Sequence, residues 1–319
     1  MSLYLGIDTS NYTTSAALYD SDSGEVRQEK MLLPVKPGEK GVRQSNAVFH
    51  HTQQLPQVTE ALCGTDGSLS LAGIGVSTQP RRAEGSYMPC FTVGSGTARI
   101  LSAVTGAPLY EFSHQEGHIA AALYSAGRLD LMHERFIAFH VSGGTTEAVL
   151  AEGNGARFRT TLLASSLDLK AGQAIDRTAV MLGLPFPGGR HLEELARQCD
   201  ETIRYKPTLR GCDCSLSGIE NQCRKMFDEG QPKEKIAKFC LTAVMNAIIG
   251  MTDALLAAYG NLPLVYAGGV MSNGMMRECM TARYEGAGFA EPAFSCDNAA
   301  GVAVLAARNS ELKKYTQGR

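Results

Sequence analysis

Ser113 to His118 reads Ser-His-Gln-Glu-Gly-His, and its two histidines are four residues apart. If this stretch opens a helix that Ile119 to Ala126 continues, with Ile119, Ala122 and Leu123 as its buried side, His114 and His118 share one face, a turn apart. Two neutral imidazoles at that spacing can reach one ion at about 2.0–2.1 Å, and a carboxylate from elsewhere can complete the set. Zinc proteases need H-E-x-x-H or H-x-x-E-H. Here Glu116 follows His114 by two residues, which at about 100° per residue turns its carboxylate away from the ion. A histidine pair alone also fits an ordinary helix, so the metal reading depends on further motifs.

Two glycine-rich stretches suit anions. Phe136 to Val141 is an apolar run that ends in Ser142-Gly143-Gly144, and Thr145 to Leu150 returns from it. Such a polar tip exposes backbone N–H groups, and its glycines let an anion approach closely, although Gly-Gly turns are also common in plain hairpins. Tyr266 to Asn273 runs from a strand through Gly268-Gly269 into a helix start, a flat backbone surface that suits a nucleotide. The rival reading is close helix–strand packing.

The elements that must carry these residues alternate between strand and helix. Tyr4 to Ser10 and Thr13 to Tyr19 read as a hairpin with a polar tip, like the later one. Thr13-Thr14 and Thr145-Thr146 hold equivalent places 132 positions apart, a domain-sized repeat. Two similar domains are therefore expected, 1–133 and 134–319, with the last helix a candidate to pack back on the first. Leu71 to Ser77 reads as a strand and Gly94 to Val104 as a helix, and Pro108 to Phe112 leads into the histidines. Ala174, Ile175, Ala179 and Leu182 give residues 172–182 helical periodicity, which ends at Pro185 to Gly189, and another helix starts at His191. Residues 233–259 form a long apolar-faced helix and Leu264 to Ala267 a buried strand, so the class is α/β.

At 319 residues and 44% hydrophobic, the chain can bury two cores. The N-terminus lacks a basic signal region, and no uninterrupted apolar run is long enough to span a bilayer, so no membrane partner is expected. With nine scattered cysteines this argues for reduced thiols and a cytoplasmic protein. Cys212, Cys214, Cys223 and Cys240 lack the paired C-x-x-C knuckles of a zinc site. A net charge of −2 lacks the footprint of a stand-alone nucleic-acid binder. A local patch would be needed, and Arg190, Arg197, Arg204, Lys206, Arg210, Arg224 and Lys225 form a candidate that also reads as a solvated face.

Taken together, the first hairpin, H-x-E-G-H, V-S-G-G-T-T, G-Q-A-I-D-R, P-F-P-G-G, A-G-G-V-M-S-N and C-D-N-A-A occur in that order over nearly the whole chain. The series resembles the tRNA threonylcarbamoyladenosine transferase family, the former O-sialoglycoprotein endopeptidases. The resemblance implies two duplicated ribonuclease-H-like domains of the actin-like, sugar-kinase ATPase superfamily, with a cleft between them. It implies metal-dependent transfer of a threonylcarbamoyl group from threonylcarbamoyl-AMP to N6 of adenosine 37 in tRNA, and partner proteins of that pathway. A dimer, with a second copy or with such a partner, is a further expectation.

Carried over by motif, His114, His118 and Asp297 would be the metal ligands. His140, Val141, Ser142, Gly143 and Gly144 would line the phosphate and acyl part of the adenylate. Asp176, Gly189, Glu193 and Asn273 would hold the adenosine end, and Gly268 and Gly269 are further candidates to bind the nucleotide. His140 stands where archaeal and eukaryotic members resemble one another in carrying tyrosine, and as a strand neighbour two residues from Ser142 it is a candidate fourth ligand. Three histidines and an aspartate suit zinc or iron better than magnesium.

The chain departs from the family where an acidic pair is replaced in Asn11-Tyr12-Thr13-Thr14, where V-S-G-G-H-T becomes V-S-G-G-T-T, where G-E-A becomes G-Q-A, and where Gln79 to Pro89 replaces G-P-G-L. The missing acids favour two alternatives: a carbamoyl-type transferase or ATPase with another acceptor, and a catalytically weak nucleotide-binding subunit. The retained histidines and Asp297 favour an enzyme.

Overall fold

The computed structural model describes residues 2–10, 12–34, 42–64 and 69–317, with side chains to Lys313; Asn11 of the first hairpin lies outside them. The first strands alternate little in burial because both faces are covered. β1 (Leu3–Asp8) and β2 (Thr13–Asp20) are buried almost throughout, and β3 (Val26–Leu32) is a partly exposed edge. α1 (Gln44–Cys63) follows, then β4 (Leu71–Gln79), α2 (Phe91–Thr105), β5 (Leu109–Ser113) and α3 (His114–Ser125). The sheet runs β3-β2-β1-β4-β5, antiparallel at β1–β2 and β2–β3, and parallel from β1 through β4 to β5.

The second series begins with β6 (Arg135–Val141), β7 (Thr146–Gly153) and β8 (Phe158–Ser165). It continues through α4 (Ala171–Met181), α5 (Gly189–Ala196), the short ribbon of β9 (Thr208–Arg210) and β10 (Asp213–Ser215), α6 (Ser217–Asp228) and α7 (Lys233–Tyr259). β11 (Leu264–Ala267), α8 (Gly274–Arg283), β12 (Gly288–Phe289) and α9 (Ala300–Gln317) complete the chain. Its sheet runs β12-β11-β6-β7-β8, the first order in mirror listing, with β7 antiparallel and β11 parallel to β6. The duplication holds pair by pair. Leu3 faces Asp20 and Asp8 faces Ser15 in the first hairpin, while Arg135 faces Glu152 and His140 faces Glu147 in the second, all shifted by 132 positions.

The chain divides into two compact units, one of 1–134, 153–158 and 296–319, the other of 135–152 and 159–295. The division differs from 134–319 for a second domain in giving 153–158 and 296–319 to the first unit, the latter with α9, the helix the sequence offered as a candidate to return there. Gly6, Gly75 and Gly301 permit this. A Cβ on Gly6 would lie 2.3 Å from Ala299 O, one on Gly75 2.1 Å from Val302 O, and one on Gly301 1.8 Å from Gly117 O, so only bare backbone lets α9 lie on the sheet and on α3.

In the second unit α7 is the core helix, burying Ile236, Phe239, Leu241, Val244, Ile248, Met251 and Leu255. By length and composition it is apolar enough to cross a membrane, unlike the expectation from the sequence, yet 56% of its most apolar window is buried in the protein. Cys214, Cys223 and Cys240 lie in that same core, and Cys240 donates to Thr178 Oγ1 at 3.4 Å. They behave as small apolar side chains.

Candidate functional site

α3 starts at His114 because Ser113 caps it. Ser113 Oγ accepts from Glu116 N, and Glu116 Oε2 accepts from Ser113 N at 2.8 Å and from Ser113 Oγ at 2.9 Å. This capping box engages Glu116 and leaves the histidines alone on the other face, as their spacing requires. Ile119, Ala122 and Leu123 are buried as expected, with Ala120 and Ala121 as well, since α9 covers α3.

The close packing of α9 places Asp297, three residues before that helix, against the histidines. Asp297 Oδ1 lies 3.3 Å from His114 Nε2 and 3.1 Å from His118 Nε2, and the two rings are 4.2 Å apart. The three ligand atoms lie within 4.8 Å of one another, the only such group of potential metal ligands among the described residues. Two imidazole nitrogens and a carboxylate are a donor set that fits zinc or iron.

Asp8 was not singled out by the sequence, yet it decides how His114 is held. Its Oδ2 lies 2.9 Å from His114 Nδ1, so Nδ1 carries the proton given to Asp8 when the ring is neutral, and Nε2 turns to the metal position. A carboxylate behind the imidazole is what a metal-ligating histidine requires. Asp8 is itself held by Ser10 N at 2.9 Å, Ser10 Oγ and Ser77 Oγ. The only sequence signal was an acid ending a strand whose other residues are apolar.

The charges agree with this wiring. Burial works against ionisation of Asp8, but the charge and hydrogen bond of His114, with the serine hydroxyls, outweigh it and hold the carboxyl below its usual range. Burial likewise opposes Asp297, and the hydrogen bonds of His114 and His118 outweigh it, holding that carboxyl well below the usual range. For His114, burial disfavours the cation, while Asp8 and Asp297 together raise its pKa to about 10 in the absence of an ion. A site that binds a proton so firmly has the negative potential a divalent cation needs.

In the second unit the tip after β6 is open. Gly143 and Gly144 are exposed, and a Cβ on either would meet nothing. Ser142 shapes the turn: its N donates to Thr145 O at 2.7 Å, and its Oγ accepts from Gly144 N and Thr145 N at 3.3 and 3.1 Å. Gly172 N, in the first turn of α4, donates to Ser142 O at 3.1 Å, and a Cβ on Gly172 would lie 2.6 Å from Gly143 N. The loop is thus an exposed backbone cradle seated on a helix start, chemistry suited to a phosphate.

The residues expected at an adenosine end come together on α4, α5 and the start of α8, but much of their capacity is used internally. Asp176 Oδ1 accepts from Gly188 N at 2.8 Å and pins the turn before Gly189. Glu193 accepts from Gly274 N at 3.0 Å, Met275 N at 3.3 Å and Arg197 at 2.8 Å, while Asn273 Oδ1 caps α8 through Met276 N at 3.1 Å. The Gly268-Gly269 pair is not itself the start of an α-helix: a 3-10 turn, Gly269–Ser272, intervenes. Gly268, at φ +99°, lets the strand end pack on β6, because a Cβ there would lie 2.2 Å from Val141 O. His140 is half-buried on β6, paired with Glu147 and Ala267, and it stands outside the three-residue ligand group. In the basic segment, Arg190, Arg197 and Lys225 are paired with Glu194, Glu193 with Glu278, and Glu229, as on a solvated face.

The sequence profile of the tRNA N6-adenosine threonylcarbamoyltransferase family matches residues 29–304. The chain belongs to this family. Family members similar to it include the tRNA N6-adenosine threonylcarbamoyltransferases of Polaromonas sp., 30% identical over 95% of this chain and 90% of that one, and of Methanopyrus kandleri, 27% identical over 89% and 81%. A probable bifunctional tRNA threonylcarbamoyladenosine biosynthesis protein of Thermoplasma acidophilum is 29% identical over 88% of this chain; the match spans half of that protein. Among solved structures, component A of the (R)-2-hydroxyglutaryl-CoA dehydratase of Acidaminococcus fermentans superposes with a TM-score of 0.59 at 15% identity, covering 98% of this chain and all of that one. HypF of T. kodakarensis gives 0.59 at 13% identity, over 99% and 48%. At such identities the likeness shows the fold alone, an α/β fold with two five-stranded sheets of equivalent strand order. The family's metal dependence agrees with the ligand group of the first unit.

Proposed function

We propose that this chain transfers a threonylcarbamoyl group from threonylcarbamoyl-AMP to N6 of adenosine 37 in tRNA, using one divalent metal, zinc or iron, held by His114, His118 and Asp297. The observation that carries the reading is the orientation of His114 by Asp8, a buried carboxylate that the hydroxyls of Ser10 and Ser77 hold against the imidazole. A bound metal would supply Lewis-acid polarisation and neutralise phosphate charge. The residues of the chain orient and hold. Asp8 fixes the His114 tautomer, Ser142 shapes the backbone cradle for the adenylate phosphate, and the Asp176 oxygen left over from the bond to Gly188 N would take a ribose hydroxyl. His140 belongs to the proposal as a candidate fourth ligand. Partner proteins that make and deliver the adenylate, assembly as a dimer and a cytoplasmic setting are proposed with it; nine free cysteines suit a reducing compartment.

Purified protein given threonylcarbamoyl-AMP and unmodified tRNA should release AMP and label adenosine, and His114→Ala should do neither. One observation favours a second reading, a nucleotide-binding subunit with weak catalysis. Thr14 stands in the hairpin that lacks the family's acids, and its hydroxyl is 2.8 Å from both His51 Nδ1 and Gln54 Oε1, bound into the fold. Nucleotide binding without AMP release or labelling, with all partners present, would decide for that reading.

A further inference from the structure

The segment after β4, which replaces the family's G-P-G-L, has no role in the metal centre, yet it is fastened beside it. Gln115 N in the first turn of α3 donates to Pro80 O at 3.0 Å, and Arg81 N donates to Ser86 Oγ at 3.0 Å. Residues 81–85 are exposed, and Tyr87 on the same loop is 66% exposed. Arg82 reaches Glu116 only at 3.5 Å and its side chain stays 53% exposed.

Arg157 comes from the turn between β7 and β8 and belongs to the same unit. Its guanidinium lies over the Phe112 ring, 5.2 Å from the centroid, and is half-buried. Among the described residues it makes no ion pair; the neighbouring acids Glu111 and Glu116 contact Arg99 at 2.9 Å and Arg82. Glu116 Oε1 is buried without a donor, so that acid has not drawn Arg157 in. Burial disfavours the Arg157 cation, the like charge of Arg82 adds to this, and the two acids only partly offset it. A half-buried guanidinium, pre-oriented by an aromatic face and left unpaired, pays the desolvation cost of an ion pair without its partner. An arriving phosphate would supply that partner through a bidentate contact.

We propose that Arg157 and Arg82 form a phosphate seat and that Tyr87, exposed on the loop that carries Arg82, is a stacking platform, together an RNA-binding surface on the unit that holds the metal ligands. Exposed aromatic and arginine side chains on one loop match single-stranded RNA, whose bases stack while its backbone is neutralised. The choice of RNA as the source of the phosphate rests on the tRNA reading above; the seat itself does not. It also accounts for how a chain of net charge −2 could hold a polyanion, through a local patch.

The test is anisotropy of labelled unmodified tRNA across a salt series, with calorimetry of AMP and of inorganic phosphate in parallel. Arg157→Gln should weaken tRNA binding roughly 3–20-fold and make the log K against log salt slope shallower by about 0.7–0.9, one phosphate contact. Arg157→Lys, which keeps the charge, should largely preserve the slope. Tyr87→Ala should weaken binding roughly 5–150-fold with an unchanged slope, the sign of stacking. Arg99→Gln, whose guanidinium is already paired, should change nothing, and thermal unfolding of each variant confirms that it is folded. Unchanged tRNA binding and slope in both Arg157→Gln and Tyr87→Ala would overturn the surface. If Arg157→Gln weakens AMP instead of tRNA, the seat serves the nucleotide and the RNA assignment falls. If the wild type binds no tRNA even at low salt, the tRNA reading fails by itself, and loss of inorganic phosphate binding in Arg157→Gln still tests the seat: its persistence in that variant overturns it.

Discussion

The two hairpin tips of this chain share a backbone register and do opposite things. In the first, Asp8, Thr9 and Ser10 are buried: Thr9 Oγ1 donates to Cys90 O at 2.9 Å and accepts from Gly94 N at 3.1 Å, and Asp8 is consumed by His114 and two serines. In the second, the equivalent positions are His140 and Ser142, followed by two exposed glycines, and the serine hydroxyl turns inward to shape the loop. The scaffold fixes where the strand ends, and side-chain content decides whether that place orients a ligand or offers bare N–H groups. A duplicated fold could thus separate metal chemistry from anion binding without changing its backbone.

The comparison breaks most simply at His114. His114→Ala should abolish bound metal in protein purified without chelator, while binding of an adenine nucleotide by the second unit persists, read by metal analysis and calorimetry. Gly301→Ala comes next. The new Cβ would lie 1.8 Å from Gly117 O, so α9 must move off α3, costing about 3 kcal/mol or more and carrying Asp297 away from the histidines. Thermal unfolding and metal affinity should fall together, and an unchanged metal affinity would refute the role given to α9.

Asp8→Asn should lower metal affinity by roughly 10–100-fold while leaving the protein folded, and the matching change His140→Asn tests the candidate fourth ligand: a fall of the same size is expected if it supports the ion, and unchanged affinity removes it from the site. Metal titrations of the two variants compare the equivalent positions directly. Removing the ion gives the first tip a pH signature as well. The His114 pKa is raised from 6.5 to about 10, so the stability its cation contributes is fully present below about 6.5 and is lost as pH rises to about 10. Denaturant midpoints of chelated protein should therefore decline over that window, and His114→Gln should flatten the decline. The smallest effects concern the second tip. Gly172→Ala should cost about 1–3 kcal/mol and weaken nucleotide binding because its Cβ collides with Gly143 N, while Gly143→Ala, facing open space, should leave stability unchanged.

Much of this protein is determined locally. The capping box that starts α3 spans Ser113 to Glu116, α7 occupies 233–259 as its periodicity indicates, and both hairpins and their repeat follow from strand patterns and turn residues. These signals operate over one turn of helix or one strand pair, so the sequence displays them directly. It also carries the ligand set through the family's motifs, including Asp297. Only the tertiary structure decides what touches what over long separations. Asp8 and His114 are 106 positions apart, and His118 and Asp297 are 179 apart. Their meeting depends on α9 returning to the first unit over bare glycines, and no local period encodes that return. Packing likewise commits Glu193 and Asn273 to the start of α8, because a helix N-terminus with unsatisfied N–H groups takes whichever acceptors the fold brings to it.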